Sequence, residues 1–281
     1  MGLLKKIKKG IKNLFNGKSV EEKKIEAEGL DIHGIKVKGV LGRGGQGWAF
    51  KVKYNNKKAC AKRFNFDLDA RTELEMLQAT RKSGRVPKVI ESFMKGEWCV
   101  ILMELVKGQD LSSLVKEEIP STKQMHRILY NVIEAFDDLH STGIIHNDIK
   151  ANNIMVDIKN DCAVKIIDLG LAMAAGGKPY DFPIRGEHHL DPALENGGIC
   201  SANTDMYSIR LMMKRIYDAS EMYRCEVIKK CAELLMAHQR NKFDTKDLLQ
   251  KNCDCCNGKF EDKSNDPCEE AFESSGSQVE C

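Results

Sequence analysis

The chain has 281 residues, a net charge of +3, and 42% hydrophobic and 30% charged residues. That length suits about two domains, or one two-lobed domain with tails, and the mix is that of a soluble globular protein. So small a positive excess gives no reason to expect nucleic acid as the partner, and no apolar run reaches the roughly 18 residues that a membrane-spanning helix needs.

Residues 1–20, "MGLLKKIKKGIKNLFNGKSV", place Leu3, Leu4, Ile7, Ile11, Leu14 and Phe15 on one helical face and Lys5, Lys6, Lys8, Lys9 and Lys12 on the rest. This predicts a basic amphipathic helix within an N-terminal segment, residues 1–29. Three uses stay open for it. It adsorbs to an anionic membrane surface through residues 1–17, it docks on the protein's own body, or it is a targeting arm. The lysines break every early apolar run, so no secretory signal is expected. Lys6 stands where a myristoylation start prefers Ser or Thr, so no acylation is expected at Gly2.

Strand-like alternation follows over Ile35–Leu41, Trp48–Tyr54 and Lys58–Phe64, with Asn55-Asn56 as a hairpin turn between the last two. Residues 69–81 predict a helix, and Lys88–Met94 and Trp98–Leu105 two more strands. From there the chain turns helical. Ser121 and Gln124 stand at capping-box spacing. Met125, Ile128, Leu129, Val132, Ile133, Phe136 and Leu139 form an apolar stripe, and Gly143 ends that helix. In "GIIHNDIKANNIMVD", Gly143–Asp157, two short buried strand ends flank a run of polar side chains. Another short strand ends in "VKIIDLG". Helices are expected over 204–218, 221–238 and 244–250. From Lys251 the chain is acidic and poor in apolar residues, so a disordered tail, residues 251–281, is expected.

The eleven cysteines are odd in number, which fits a reducing, cytoplasmic compartment. Cys60, Cys99, Cys162, Cys200, Cys225 and Cys231 are dispersed and read mostly as small buried hydrophobes. Cys253, Cys255, Cys256, Cys268 and Cys281 crowd the tail. Their spacing suits a zinc or iron–sulfur site poorly; S-acylation and a reactive, unliganded tail stay open.

The chemistry-bearing residues come in a fixed order. Gly42, Gly44 and Gly47 form G-x-G-x-x-G, followed by a strand rather than a helix. A dinucleotide-binding fold is therefore not indicated, and a glycine flap over phosphates is. Lys62 lies mid-strand, and Glu73 shares the inward side of the next helix with Met76 and Leu77, so Lys62 and Glu73 could pair. "HNDIKANN" then gives H-x-D-x-K-x-x-N, and Asp168 opens D-L-G after a strand. Together these motifs resemble the protein kinases, over roughly Gly34–Gln250.

The resemblance implies a bilobal α+β fold. The N-lobe, residues 34–104, would be an antiparallel sheet with one helix. The C-lobe, residues 105–250, would be helical and shortened. It implies ATP and Mg²⁺ as cofactors and a protein substrate, with a monomer as the working form. Asp148 would take or orient the substrate hydroxyl proton, Lys150 would steady the transferring phosphoryl, and Asn153 and Asp168 would hold magnesium. Gly42, Gly44, Gly47, Ala49, Lys62 and Glu73 would bind the nucleotide, with Glu104 and Val106 in the hinge and Met103 as gatekeeper. His146 would be structural, and Asp205 would anchor the catalytic loop. Lys150, two residues after Asp148, points to the serine/threonine branch. A pseudokinase scaffold and a sugar- or aminoglycoside-type kinase are the alternatives.

Three departures stand out. Asn147 replaces the arginine that in this family reads an activation-loop phosphate. Residues 171–190 hold no Ser or Thr, only Tyr180, so activity without loop phosphorylation is expected. Asp191-Pro192-Ala193 stands where Ala-Pro-Glu is usual, which suggests that the motif's buried carboxylate is lost, although Arg240 stands at its usual partner's place. Compact kinases without that arginine resemble those that bacterial pathogens or viruses deliver into host cells, and such delivery is the matching expectation.

Overall fold

The computed structural model describes residues 30, 34–95, 98–117, 120–178, 190–195 and 197–219. The expected N-terminal helix, the helices over 221–238 and 244–250, the tail, Tyr180 and Arg240 lie outside them. Two compact units are present. One runs to Ala70 and includes Val89–Leu105; the other holds Arg71–Lys88 and everything from Val106.

The first unit is a five-stranded antiparallel sheet. Its strands are β1 (Ile35–Arg43), β2 (Gly47–Tyr54), β3 (Lys57–Phe64), β4 (Val89–Lys95) and β5 (Trp98–Glu104), ordered β1-β2-β3-β5-β4. The turn between β2 and β3 needs two left-handed residues, and Asn55 and Asn56 take φ of 45° and 63°. Asparagine tolerates that region better than most side chains. Leu30, Ile35, Phe50, Val52, Ala59, Ala61, Val100 and Leu102 fill one face as a core. Arg63 is buried all the same, its guanidinium 4.3 Å from the Trp98 ring centroid, a placement that suits a delocalised cation. The Tyr54 hydroxyl donates to Glu91 at 2.6 Å, and that bond holds the phenol above its ordinary pKa.

Helix α1 covers Asp67–Ala79, two residues earlier at each end than the periodicity suggests. Thr80 closes it: its amide and hydroxyl both donate to the Met76 carbonyl, at 3.0 and 2.6 Å. A tighter turn over Arg81–Ser83 then ends at left-handed Gly84. Ala70, Glu73, Leu77 and Thr80 are buried, so one carboxylate does lie on the inward stripe.

The second unit is built on helix α3 (Thr122–His140). Its capping box is complete, because the Gln124 amide bonds the Ser121 hydroxyl while the Gln124 side chain accepts from the Ser121 amide. All seven residues of its apolar stripe are buried to within 1% of full. The helix ends at His140, three residues before Gly143, whose amide closes the turn onto the His140 carbonyl at 2.9 Å. Helix α2 (Leu111–Glu117) precedes it, and α4 (Pro192–Glu195) and α5 (Ala202–Ala219) follow. Short strands complete the unit: β6 (Gln109–Asp110) pairs with β8 (Ile154–Asp157), β8 with β9 (Ala163–Ile166), and β7 (Ile144–Ile145) with β10 (Met173–Ala174). Among the described residues no helix is long and apolar enough to cross a membrane. Cys162 and Cys200 are buried, and Cys60 and Cys99 are half-buried.

Candidate active site

The chemistry-bearing loop, His146–Asn153, runs from β7 to β8, and its shape is set from below. Asp205 stands in the first turn of α5 with its carboxylate buried. One oxygen accepts from the His146 amide at 2.8 Å and the other from the Asn147 amide at 3.0 Å. His140, in the last turn of α3, places Nε2 2.8 Å from the same carboxylate. Two backbone donors that would otherwise be buried unpaired are thus satisfied by one anion. His146 is fully buried, edge-on to the Phe136 ring. Its Nδ1 accepts from the Asp148 amide at 3.1 Å, and Nε2 lies 3.2 Å from the Ile167 carbonyl. Its role is positional.

That frame leaves Asp148 at the centre of a polar cluster. Lys150 Nζ donates to both carboxylate oxygens, at 3.0 and 2.8 Å. Asn153 Nδ2 donates to the Asp148 carbonyl at 2.9 Å and to its carboxylate at 2.8 Å. Asp148 and Ile149 are both buried, and Lys150 is the partly exposed member of the three. Both N–H bonds of its amide are committed in these two contacts, which turns the amide oxygen of Asn153 away from Asp148. Asp168 follows β9 at φ 64°, an uncommon value for a residue with a side chain. It is held from both sides: the Ile167 amide bonds the Asn153 carbonyl at 2.9 Å, and Leu169 is fully buried.

In the first unit, β2 follows the glycine run. A Cβ on Gly47 would come within 2.0 Å of the Arg63 carbonyl oxygen, so this position admits only glycine, whereas Gly42 and Gly44 face open space. Ala49 is the register partner of Lys62 on β3, and Lys62 also pairs with Ile101 on β5. Lys62 is half-buried, its ammonium 5.0 Å from the Phe64 ring centroid. Met103 is buried on β5, and Glu104 ends that strand. Of the other expected site residues, Glu73 is buried on α1 and Val106 is half-buried just after β5.

This chain matches the family model for the protein kinase domain over residues 35–265. The chain belongs to the protein kinase family. Among curated relatives, it is similar to a probable serine/threonine-protein kinase 2 of Plasmodium falciparum, 24% identical over 185 residues, which covers 64% of this chain and 36% of that one. It is also similar to the probable serine/threonine-protein kinase mkcF of Dictyostelium discoideum, 25% identical over 213 residues, with 73% and 31% covered. A third, the serine/threonine-protein kinase ste20 of Aspergillus oryzae, is 27% identical over 136 residues, with 46% and 16% covered. The chain spans about a third of the first two relatives' length and less of the third's. The sheet-based first unit and the helical second unit are those of the bilobal α+β kinase fold, and the family uses ATP.

Two features of this kinase domain were not read from the sequence. Asp191 is itself fully buried, and its Oδ1 accepts from the Ala193 amide at 2.9 Å, capping α4. A buried carboxylate is therefore present in this motif, one residue before the proline rather than after it. Asp-Pro ahead of a helix is a start signal, so the cap was legible. The other feature is Asn147 itself. It takes φ 61° and is buried, and its amide donates to the Leu171 carbonyl at 3.3 Å. The Cys200 thiol lies in the same place. Burial, reinforced by the Asp205 carboxylate, pushes its pKa up, and a hydrogen bond from Asn147 opposes this.

Proposed function

We propose that this chain is an ATP- and Mg²⁺-dependent kinase that transfers the γ-phosphoryl group of ATP to serine or threonine hydroxyls of a protein, without needing phosphate on its own activation segment. The observation that carries the reading is the Asp148 carboxylate, held between Lys150 Nζ and Asn153 Nδ2 on a loop anchored by buried Asp205. A carboxylate so placed can accept the hydroxyl proton as the oxygen attacks phosphorus, and the Lys150 ammonium beside it can stabilise the transferring charge. The Asn153 amide oxygen and the Asp168 carboxylate are hard oxygen donors, which suits Mg²⁺. Among the described residues no cluster of three His, Cys, Asp or Glu exists to hold a metal. That fits an ion bound mainly through water and phosphates. Bound ATP·Mg²⁺ supplies the phosphoryl group and neutralises charge on it. Lys62, with Glu73 as the carboxylate assigned to it, and the backbone of Gly42, Gly44 and Gly47 would serve the phosphates. Ala49, Glu104 and Val106 would serve the adenine.

The test is label transfer from γ-labelled ATP, offered the protein itself, a generic basic protein and an aminoglycoside. Label in protein is expected. Label in the small molecule alone would move the chain to the small-molecule kinases, and nucleotide binding without transfer would make it a scaffold.

Activity without segment phosphorylation follows from the uncharged residue at 147. Phosphatase-treated protein and Tyr180→Phe are both expected to keep near-normal rates. Loss in either, restored by rephosphorylation, would overturn this.

The basic amphipathic sequence of residues 1–17 supports a peripheral position on an anionic membrane surface, for a monomer acting in the cytoplasm, including that of a host cell. Each lysine near such a surface contributes about 1 kcal/mol and is screened by salt. Co-sedimentation with anionic vesicles should therefore exceed that with neutral ones, fall with salt, and vanish when residues 1–17 are removed. Equal sedimentation in all arms would count against it.

A further inference from the structure

Resting on the kinase reading, we propose that Asn147 is a positioning residue: its side-chain amide clasps the catalytic loop to the Leu171 carbonyl and holds the start of the activation segment in working register with no phosphate present. The segment is tied at several points, all uncharged. Strand β10 pairs with β7, Met173 opposite Ile145 and Ala174 opposite Ile144. The Ala175 amide bonds the Gly143 carbonyl at 2.8 Å. On its other side, Gly176 donates to the Cys200 carbonyl and the Cys200 amide to the Gly177 carbonyl, both at 2.8 Å. The Cys200 thiol lies 3.4 Å from the Met173 sulfur. Those contacts fix residues 173–177. The stretch just after Asp168, which must also be placed for metal binding, is packed by buried Leu169 and Ala172, with the Ala172 amide closing on the Leu169 carbonyl at 3.1 Å. The Asn147 amide meets the chain there, at Leu171; it also reaches the Ile145 carbonyl at 3.5 Å and bonds the Cys200 thiol.

The site suits a neutral amide and not a cation. Residue 147 is 5% exposed, and burying a guanidinium without an anion is costly. The Asp205 carboxylate, which meets the Asn147 backbone amide, already accepts from His146 and Asn147 and contacts His140. The left-handed backbone also favours asparagine. Asn147 Oδ1, moreover, is buried with no donor among the described residues. A side chain that leaves one atom unsatisfied gains little for stability, so removing it should leave the fold intact and reveal what the amide does.

Asn147→Gly is the test, since glycine takes φ 61° freely and keeps the backbone N–H to Asp205. Three quantities are read in the full chain: hydrogen exchange of residues 169–178, kcat with KM for ATP, and the unfolding temperature. Exchange in 169–178 is expected to quicken and kcat to fall by about five- to tenfold, the weight of one ordinary hydrogen bond. KM for ATP and the unfolding temperature should hold. Asn147→Ala, which deletes the same amide but strains the left-handed backbone, should show the same faster exchange and lower kcat, with a lowered unfolding temperature besides. Unchanged exchange and kcat in both variants would overturn the clasp, as would a change confined to KM. Should the wild type transfer no label, the kinase reading fails, while the exchange comparison still decides whether the clasp exists.

Discussion

Asp148→Ala should lower kcat by about 10²–10⁴-fold, the usual weight of a positioned general base, while nucleotide affinity persists. The reason for the split is geometric. Asn153 Nδ2 bonds the Asp148 carbonyl at 2.9 Å as well as the carboxylate at 2.8 Å. Truncating the side chain removes only the second bond, so the amide whose oxygen would face the metal stays in place. Asp148→Asn should lose comparable rate, because an amide takes no proton at neutral pH. Single-turnover rates and nucleotide titrations on both variants check this. Turnover near the wild-type value in either would remove Asp148 from the chemistry.

Asp205→Ala is the variant expected to cost the fold most. It strips the acceptor from two buried amides, His146 and Asn147, and from the His140 ring. It also removes a carboxylate from the first turn of α5, where negative charge is favourable. Orphaning buried donors costs about 1–3 kcal/mol each, so a loss of about 3–5 kcal/mol is expected. For a chain of this size that lowers the unfolding temperature by about 6–20 °C. Asp205→Asn, which keeps one acceptor oxygen, should fall between. Thermal unfolding followed by circular dichroism reads the difference. A shift under about 2 °C for the alanine variant would mean that the loop is held by something else.

Much of this was legible because it is local. Asn55-Asn56, the Ser121–Gln124 box and the stripe from Met125 to Leu139 are each set within one turn or one helix, where residue type fixes conformation directly. The motif around Asp148 was legible for a different reason: in order with the other motifs it resembles the protein kinases, and the family match bears that resemblance out. What escaped is set by distant partners. Strands β6 and β10 are two residues long and exist only because β8 and β7 pair with them. Helix α2 carried a signal that was passed over, since Asp110 accepts from the Ser113 amide at 2.9 Å, an ordinary N-cap. Asn147 could be seen as a missing arginine, but its bond to Leu171, 24 residues on, has no trace in the local sequence.

The anchoring of the loop by Asp205 also sets an order of events in synthesis. Asp205 lies 59 residues beyond His146 and 65 beyond His140. Contacts of such sequence separation form late, after the local helices. At translation rates of about 5–20 residues per second, the interval between residues 148 and 205 lasts about 3–12 s. From residue 168 onward the growing chain holds Asp148, Lys150, Asn153 and Asp168 without the anion that shapes their loop. On the proposed activity, competence for transfer would arrive with the docking of α5 against α3, and a nascent chain stalled before residue 205 would carry these side chains on an unshaped loop.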